Sequence, residues 1–238
     1  LIVATEWPLY REAVPAAAAK AAPGLLVLDA NRFLASWRDT PGLRVLLLEK
    51  NGGKGAAVLA GGRAALEAGF THVLVMDADG QHPCDRVAGF MEASERRPEA
   101  MILGRPVFGP EAPQLRLQGR KLSIGLVHFE LFGKVVEDPL FGFRVYPLAP
   151  LVSVLARTRW ARRYDFDPEV AVRLAWKGVP PVNLPAACRY LSREEGGVSH
   201  FHYWRDNARM VWLHTRLITE LLLFRWIALC RRGKVLPS

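Results

Sequence analysis

Five short apolar runs, at residues 1–4, 24–30, 43–49, 72–78 and 100–104, alternate with helix-like stretches through the first half of this chain. That alternation is the pattern of βαβ units, and it points the first half toward an α/β fold with a largely parallel sheet. Between the third and fourth runs, KGAAVLAGGRAALEAG is rich in Ala and Leu, opens after a glycine-rich turn and closes at Gly69. It predicts a helix with a glycine C-cap. The fourth run, VLVMDADGQHP over residues 73–83, ends in Asp77, Asp79 and Gln81. Ligands of open α/β sheets bind off the carboxyl ends of strands, so these side chains stand where chemistry is usually found.

The second half reads differently. FGPEAPQLRLQGRK is a basic loop punctuated by Pro and Gly, and DPLFGFRVYPLAP is a turn entering a short strand. DFDPEVAVRLAWKG predicts a helix with Asp167 as N-cap, Pro168 at the first helical position and Gly178 at the end. VPPVNLPAACRYL holds too much Pro for a central strand and predicts an edge strand. From Tyr203 onward the chain reads as one or two helices. With no internal repeat, low-complexity tract or linker, the organisation is one α/β domain over residues 1–202 and a C-terminal helical segment over residues 203–238.

Half of the 238 residues are hydrophobic, enough for one sizeable core. The 32 Lys and Arg outweigh the 23 Asp and Glu to give +9, which favours phosphates, nucleic acid or an acidic membrane surface without choosing among them. No nucleic-acid recognition motif accompanies the charge. Cys84, Cys188 and Cys230 are widely spaced and make neither a disulfide framework nor a zinc set, which fits a reducing, cytosolic setting. No charged segment followed by an apolar stretch and a cleavage site is visible.

Asp77, Asp79 and Gln81 alternate at a strand end and can aim oxygens into one site. Hard divalent ions such as Mg2+ or Mn2+ take carboxylate, amide and phosphate oxygens. The plainer alternative, of about equal weight, is a loop in which the two aspartates bind backbone N–H groups.

DADGQHP resembles the Asp-Ala-Asp-x-Gln-His motif of glycosyltransferase family 2, in particular its polyprenyl-phosphate sugar synthase branch of the dolichol-phosphate mannose synthase type. Four further stretches resemble that family in its own order: NGGKGAA from residue 51, DPLFGFRVY from residue 138, FDPEVAVRLAWKGVPPVNLP from residue 166 and GGVSHF from residue 196. The resemblance implies a GT-A type fold, a mostly parallel sheet flanked by helices. It implies an inverting hexosyltransferase that moves a sugar from a UDP- or GDP-linked donor to a lipid-linked or hydrophobic acceptor such as a polyprenyl phosphate. Asp79 and Gln81 would hold the metal, Asp77 would stand by the ribose or the metal, and Lys54 would reach the base or phosphate.

The same resemblance makes Asp138 the general base or acceptor orienter and sets Gly142 and Arg144 at the acceptor pocket. Arg105, Arg116, Arg120 and Lys121 would balance phosphate charge, with Ser199 and His200 as further phosphate contacts. A plainer role stands beside each: a turn before a helix for the glycines, a cap ahead of Pro139 for Asp138, a solvated loop for the basic residues, a helix-dipole partner for Glu169. The family's first two strand ends depart here, leaving Thr5, Glu6 and Asp29 as the counterparts near the nucleotide. These departures support the rival reading, a non-catalytic protein that keeps a decayed GT-A fold.

In the C-terminal segment Arg205, Arg209, Arg216 and Glu220 share one arc of a helical wheel, and Met210, Leu213, Leu217, Leu221 and Phe224 fill the next. Its most apolar stretch is too short to cross a bilayer. Flanked by Arg231, Arg232, Lys234, Trp212 and Trp226, it suits a helix lying on an anionic membrane at its cytoplasmic face. A helix packed on the sheet, or a homo-oligomer contact, is the equal alternative.

Overall fold

The structure, a computed structural model, describes residues 2–3, 25–29, 43–77, 82–110, 114–188 and 203–225. Strands β1 (Ile2–Val3), β2 (Leu25–Asp29) and β3 (Leu43–Leu47) form a parallel sheet in that order, with Leu28 opposite both Ile2 and Leu46. A second sheet runs in the order β4 (His72–Val75), β6 (Arg144–Pro147), β5 (Met101–Phe108), β7 (Pro181–Cys188). In it β6 is antiparallel to β4 and β5, while β5 and β7 are parallel. The molecule is therefore a mixed α/β fold: β1 to β3 are parallel as the alternation predicts, while β4 and β5 each pair antiparallel with β6. Strand β7 lies at the sheet edge, where its prolines cost no ladder bond on the open side.

Alternation along β5 assigns the two faces of the second sheet. Met101 and Leu103 join a cluster with Val58, Tyr146, Leu151, Phe166 and Val170, whereas Ile102 joins another with Phe90, Phe143 and Val145. Helices α1 (Lys54–Glu67), α4 (Leu148–Arg157), α5 (Phe166–Trp176) and α6 (Tyr203–Glu220) supply the first cluster, and α2 (Val87–Arg96) the second. Two glycines end helices as the sequence predicts. Gly69 and Gly178 both have positive φ, and in each case the next residue's N–H reaches back to the carbonyl five residues earlier, Ala65 and Leu174 respectively.

Three local expectations are corrected. The basic stretch read as a loop is mostly the first part of α3 (Gln114–Leu131), an 18-residue helix. What holds it is downstream, where Val127, Glu130 and Leu131 are buried at helical spacing. Helix α4 directly follows β6, with Pro147 at its N-cap and Pro150 in the first turn, where N–H groups have no partner within the helix. Asp167 is not the cap of α5. Asp165 holds the N-cap position, and its carboxylate accepts from the N–H groups of Ala161 and Arg163, at 2.9 Å each, to fix the preceding turn.

The inner arc of α6 is core. Leu213, Leu217 and Leu221 are fully buried, worth roughly 2 kcal/mol each in removed apolar surface. A π-helical turn, Leu221–Arg225, then leaves Leu222, Leu223 and Phe224 exposed. No helix among the described residues is long and apolar enough to cross a membrane.

Candidate active site

Two residues past β4, Asp77 meets Lys54, the first residue of α1. The Lys54 ammonium lies 2.6 Å from Asp77 Oδ1 and 2.7 Å from Asp167 Oδ2, so one cation joins a strand end, a helix start and the first turn of α5. Burial alone would push the lysine down, but the carboxylates of Asp167 and Asp77 together hold it above its ordinary value. Its charge is permanent at physiological pH. It also sits 5.2 Å from the centre of the Phe166 ring.

The glycines around Lys54 serve the protein's own packing. Gly53 starts the helix at φ +83, and a Cβ there would fall 2.2 Å from the Arg162 carbonyl; at Gly55 it would fall 1.7 Å from that of Ala161. The close approach that these glycines permit is to residues 161–162. Gly55 N–H donates to Arg162 O at 3.1 Å, and Asn51 Oδ1 accepts from Gly53 N–H at 2.9 Å. Gly142 is different, because a Cβ there would land 2.1 Å from Asp77 Oδ2 and 2.8 Å from Lys54 Nζ. The missing side chain leaves the Asp77–Lys54 pair its room.

The loop that ends at Gly142 begins with Asp138, and both of its carboxylate oxygens are engaged. Oδ1 accepts from Leu140 N–H at 2.8 Å and Phe141 N–H at 2.9 Å, closing a turn over Pro139. The Arg120 guanidinium, reaching from α3, spans the carboxylate at 2.5 and 3.0 Å. Arg120 in turn lies over the Phe108 ring.

Arg144, expected at an acceptor pocket, is fully buried beneath this loop. It donates to the carbonyls of Pro139 (2.6 Å), Phe141 (2.7 Å) and Asp167 (2.7 Å) and to the Tyr146 hydroxyl (3.1 Å). Burial pushes the Tyr146 phenol up, with Arg144 pulling it back. Arg144 therefore ties the Asp138–Gly142 loop to the start of α5. His82, last in the DADGQH stretch, packs its ring 4.7 Å from that of Phe141 in the same loop.

The other expected residues divide into four sets. Arg105 is half-exposed on β5 and paired at 2.9 Å with Glu137, next to Asp138. Lys121 is exposed on α3, and Arg116 lies on that helix too. Asp29 ends β2. Thr5, Glu6, Asp79, Gln81, Ser199 and His200 lie outside the described residues.

Asp167 is the member the sequence reading missed. An Asp-Pro pair at a helix start looks like a cap, and nothing local marks a carboxylate that pairs with a lysine 113 residues away. Glu169, two residues on, points elsewhere: it is fully buried, with Arg216 spanning its carboxylate at 3.0 Å twice and Arg173 at 2.9 Å. Its role is to bind α6 to α5.

No cluster of three or more metal-binding His, Cys, Asp or Glu occurs among the described residues. At the strand end, Asp77 keeps a third of its side chain exposed beside the space over Gly142, a hard-oxygen donor that suits a divalent cation.

Comparison with known proteins agrees with this architecture. The chain is 28% identical over 167 residues to an undecaprenyl-phosphate mannosyltransferase of Micrococcus luteus, covering 67% of this chain and 68% of the relative. It is 29% identical over 127 residues to a UDP-N-acetylglucosamine–dolichyl-phosphate N-acetylglucosaminyltransferase of Methanococcus voltae, covering 52% of this chain and 50% of that protein. The fold superposes with a TM-score of 0.53, at 18% identity, on the crystal structure of glucosyl-3-phosphoglycerate synthase from Mycobacterium tuberculosis with Mn2+, UDP-glucose and phosphoglyceric acid, over 100% of this chain and 79% of that one. The fold is thus of the GT-A type. Residues 29–153, more than half of the chain and the span that holds Lys54, Asp77, Arg120, Asp138 and Arg144, match the family model for glycosyl transferase family 2, and the chain belongs to that family.

Proposed function

We propose that this protein transfers a sugar, with inversion, from a nucleotide-sugar to the phosphate of a polyprenyl-type lipid at the cytoplasmic face of a membrane. The observation that carries the reading is Lys54, held between Asp77 and Asp167 beside the gap left by Gly142. This is a charged corner at the carboxyl end of strand β4, where a nucleotide diphosphate would meet both a held cation and an acidic rim. Support for the acceptor comes from the two polyprenyl-phosphate relatives.

In this reading Asp79 and Gln81 hold Mg2+ or Mn2+, with Asp77 beside them; the ion supplies charge neutralisation for the departing diphosphate. Asp77 and Lys54 fix the nucleotide end of the donor, with Thr5, Glu6 and Asp29 lining the base and ribose. Arg105, Arg116 and Lys121 offset phosphate charge, and Ser199 and His200 are further phosphate contacts. An acceptor oxygen attacks the anomeric carbon from the face opposite the leaving group. A new carbon–oxygen bond forms as the bond to the donor's diphosphate breaks, and the electron pair leaves on the nucleotide. A phosphate acceptor is already an anion, so no proton has to be removed. That agrees with Asp138, whose oxygens are all committed to Arg120 and two backbone N–H groups. Asp138 therefore aims Arg120 at the acceptor phosphate, and Arg144 positions the loop that carries it.

Calorimetric titration with UDP, GDP and their sugar conjugates, with and without Mn2+, tests the reading. Metal-dependent binding of one nucleotide, lost in Asp79→Ala, is expected. Binding of none by the folded protein would favour a decayed donor site.

A further inference from the structure

Helix α5 carries Asp167 in its first turn and Lys177 at its C-cap, roughly 15 Å apart at 1.5 Å per residue. At that far end the last turns of α4, α5 and α6 border an open cleft of about 410 Å3. Five cations line it, Arg157, Arg159, Arg173, Lys177 and Arg225, against one carboxylate, Glu220. Glu220 clamps Arg173 at 2.9 Å and Arg225 at 2.7 Å, and Arg225 is also stacked 4.8 Å over Trp176, so these two guanidinium groups are fixed in place. Lys177 donates to the neutral Ser153 hydroxyl at 3.0 Å and keeps its charge uncompensated. Among the described residues no carboxylate pairs with Arg157, Arg159 or Lys177. The two held guanidinium groups shape the cleft, and the three cations without a carboxylate partner give it the net positive charge of a phosphate site.

A second cleft, about 650 Å3, adjoins the first and shares Glu220 and Arg225 with it. Its other lining includes Trp212 and Phe224, and Phe224 is 77% exposed beside exposed Leu222 and Leu223. Trp160, from the cationic cleft, meets Trp212, from the apolar one, edge-on at 6.0 Å. A cationic recess that opens onto an apolar one matches a ligand with a phosphate and a hydrocarbon chain. Aromatic side chains at the junction are suited to the border between headgroups and acyl chains.

We propose that these paired clefts hold an anionic membrane phospholipid, the phosphate among Arg157, Arg159 and Lys177 and a chain along Trp212 and Phe224. The lipid docks the enzyme on a negatively charged bilayer. The inference rests on the reading of a lipid-linked acceptor, which requires the enzyme to work at such a surface. It is a separate site, because the acceptor's phosphate must reach the opposite end of α5.

The test is co-sedimentation of the full chain with phosphatidylcholine vesicles, with and without phosphatidylglycerol. The cleft variant is Arg157→Glu/Arg159→Glu, both exposed positions; the charge-matched control is Arg63→Glu/Arg96→Glu, on α1 and α2. Wild type and control should bind phosphatidylglycerol vesicles. The cleft variant should lose affinity on the order of tenfold or more, since each basic residue near an anionic surface contributes about a factor of five. Soluble glycerol phosphate should not displace the wild type. An equal loss in the control, no vesicle binding by wild type, or displacement by glycerol phosphate at concentrations comparable to the lipid would each overturn the proposal. Donor titration of the same preparations separates the two ideas: metal-dependent nucleotide binding without vesicle binding sinks only the lipid site, and the reverse sinks only the transferase reading.

Discussion

One turn of α5 carries two carboxylates with opposite fates. Asp167 faces Lys54 at the strand ends, in a cluster whose other acid, Asp77, keeps a third of its side chain exposed. Glu169, two residues on and roughly 200° around the helix, faces α6 and is fully buried between Arg173 and Arg216. Both are dense ion-pair clusters, and the difference is access. Around Lys54 the protein withholds atoms: Gly142 contributes no side chain where one would strike Asp77. Around Glu169 it adds them, with the Arg216 guanidinium capped 4.8 Å away by the Trp160 ring. A charged cluster kept open by a glycine is built to receive something; one sealed by arginine and tryptophan holds two helices together.

The sharpest way to break this contrast is on the sealed side. Glu169→Ala leaves Arg216 without its buried partner, and losing one member of such a pair costs on the order of 3–5 kcal/mol. Urea unfolding should show that loss, while the protein that remains folded should bind donor with near-normal affinity. Lys54→Met probes the open side. It should weaken metal-dependent donor binding roughly a hundredfold, in line with the 2–5 kcal/mol typical of truncating a buried charge pair, and cost less stability than Glu169→Ala. If Lys54→Met instead destabilised as much and left donor affinity unchanged, the Lys54 cluster would be a second clasp.

A smaller effect refines the role of the gap. Gly142→Ala introduces a methyl against Asp77 and Lys54, both ends of side chains that can give way, so stability should fall by only about 1 kcal/mol. Donor affinity should fall about tenfold, because the pair is displaced from its setting. Unchanged affinity would mean that the space over Gly142 is not used.

How far the sequence anticipated this depends on the range of the interaction. Strand runs, the edge position of β7 and the glycine stops at Gly69 and Gly178 are local signals, and they were legible. Motif order singled out Lys54, Asp77 and Asp138, though not the partners that the fold gives them. Asp167 was not legible: the same Asp-Pro pair suits a cap and a lysine partner, and only the tertiary fold decides. Arg144 looks like any strand arginine until its loop folds over it. The basic opening of α3 resembles a loop because the residues that bury the helix, Val127 and Leu131, come a further two turns along. Glu130 and His214, both polar and both buried, give no sign of each other across 84 residues.

That last pair supplies the subtlest test of the sealed side. His214 Nδ1 lies 2.7 Å from Glu130 Oε1 between α3 and α6, and among the described residues neither Glu130 Oε2 nor His214 Nε2 has a hydrogen-bond partner. Burial pushes the Glu130 carboxyl up from its ordinary 4.5; contact with His214 pulls it down and the charge of Glu169 adds to the rise. With the folded value above the unfolded one, the native state binds the extra proton just above pH 4.5. The stabilisation is therefore complete below that value and fades as pH rises through the folded value. Glu130→Gln has no proton to lose. Its stability should match wild type most closely in acid and gain on it toward neutrality, at up to about 1.4 kcal/mol per pH step of one between the unfolded and folded values. Urea midpoints of both proteins across that range measure the slope. A parallel pair of curves would show that Glu130 holds its charge in the native state and that the α3–α6 contact seals a charged carboxylate, as the α5–α6 contact does around Glu169.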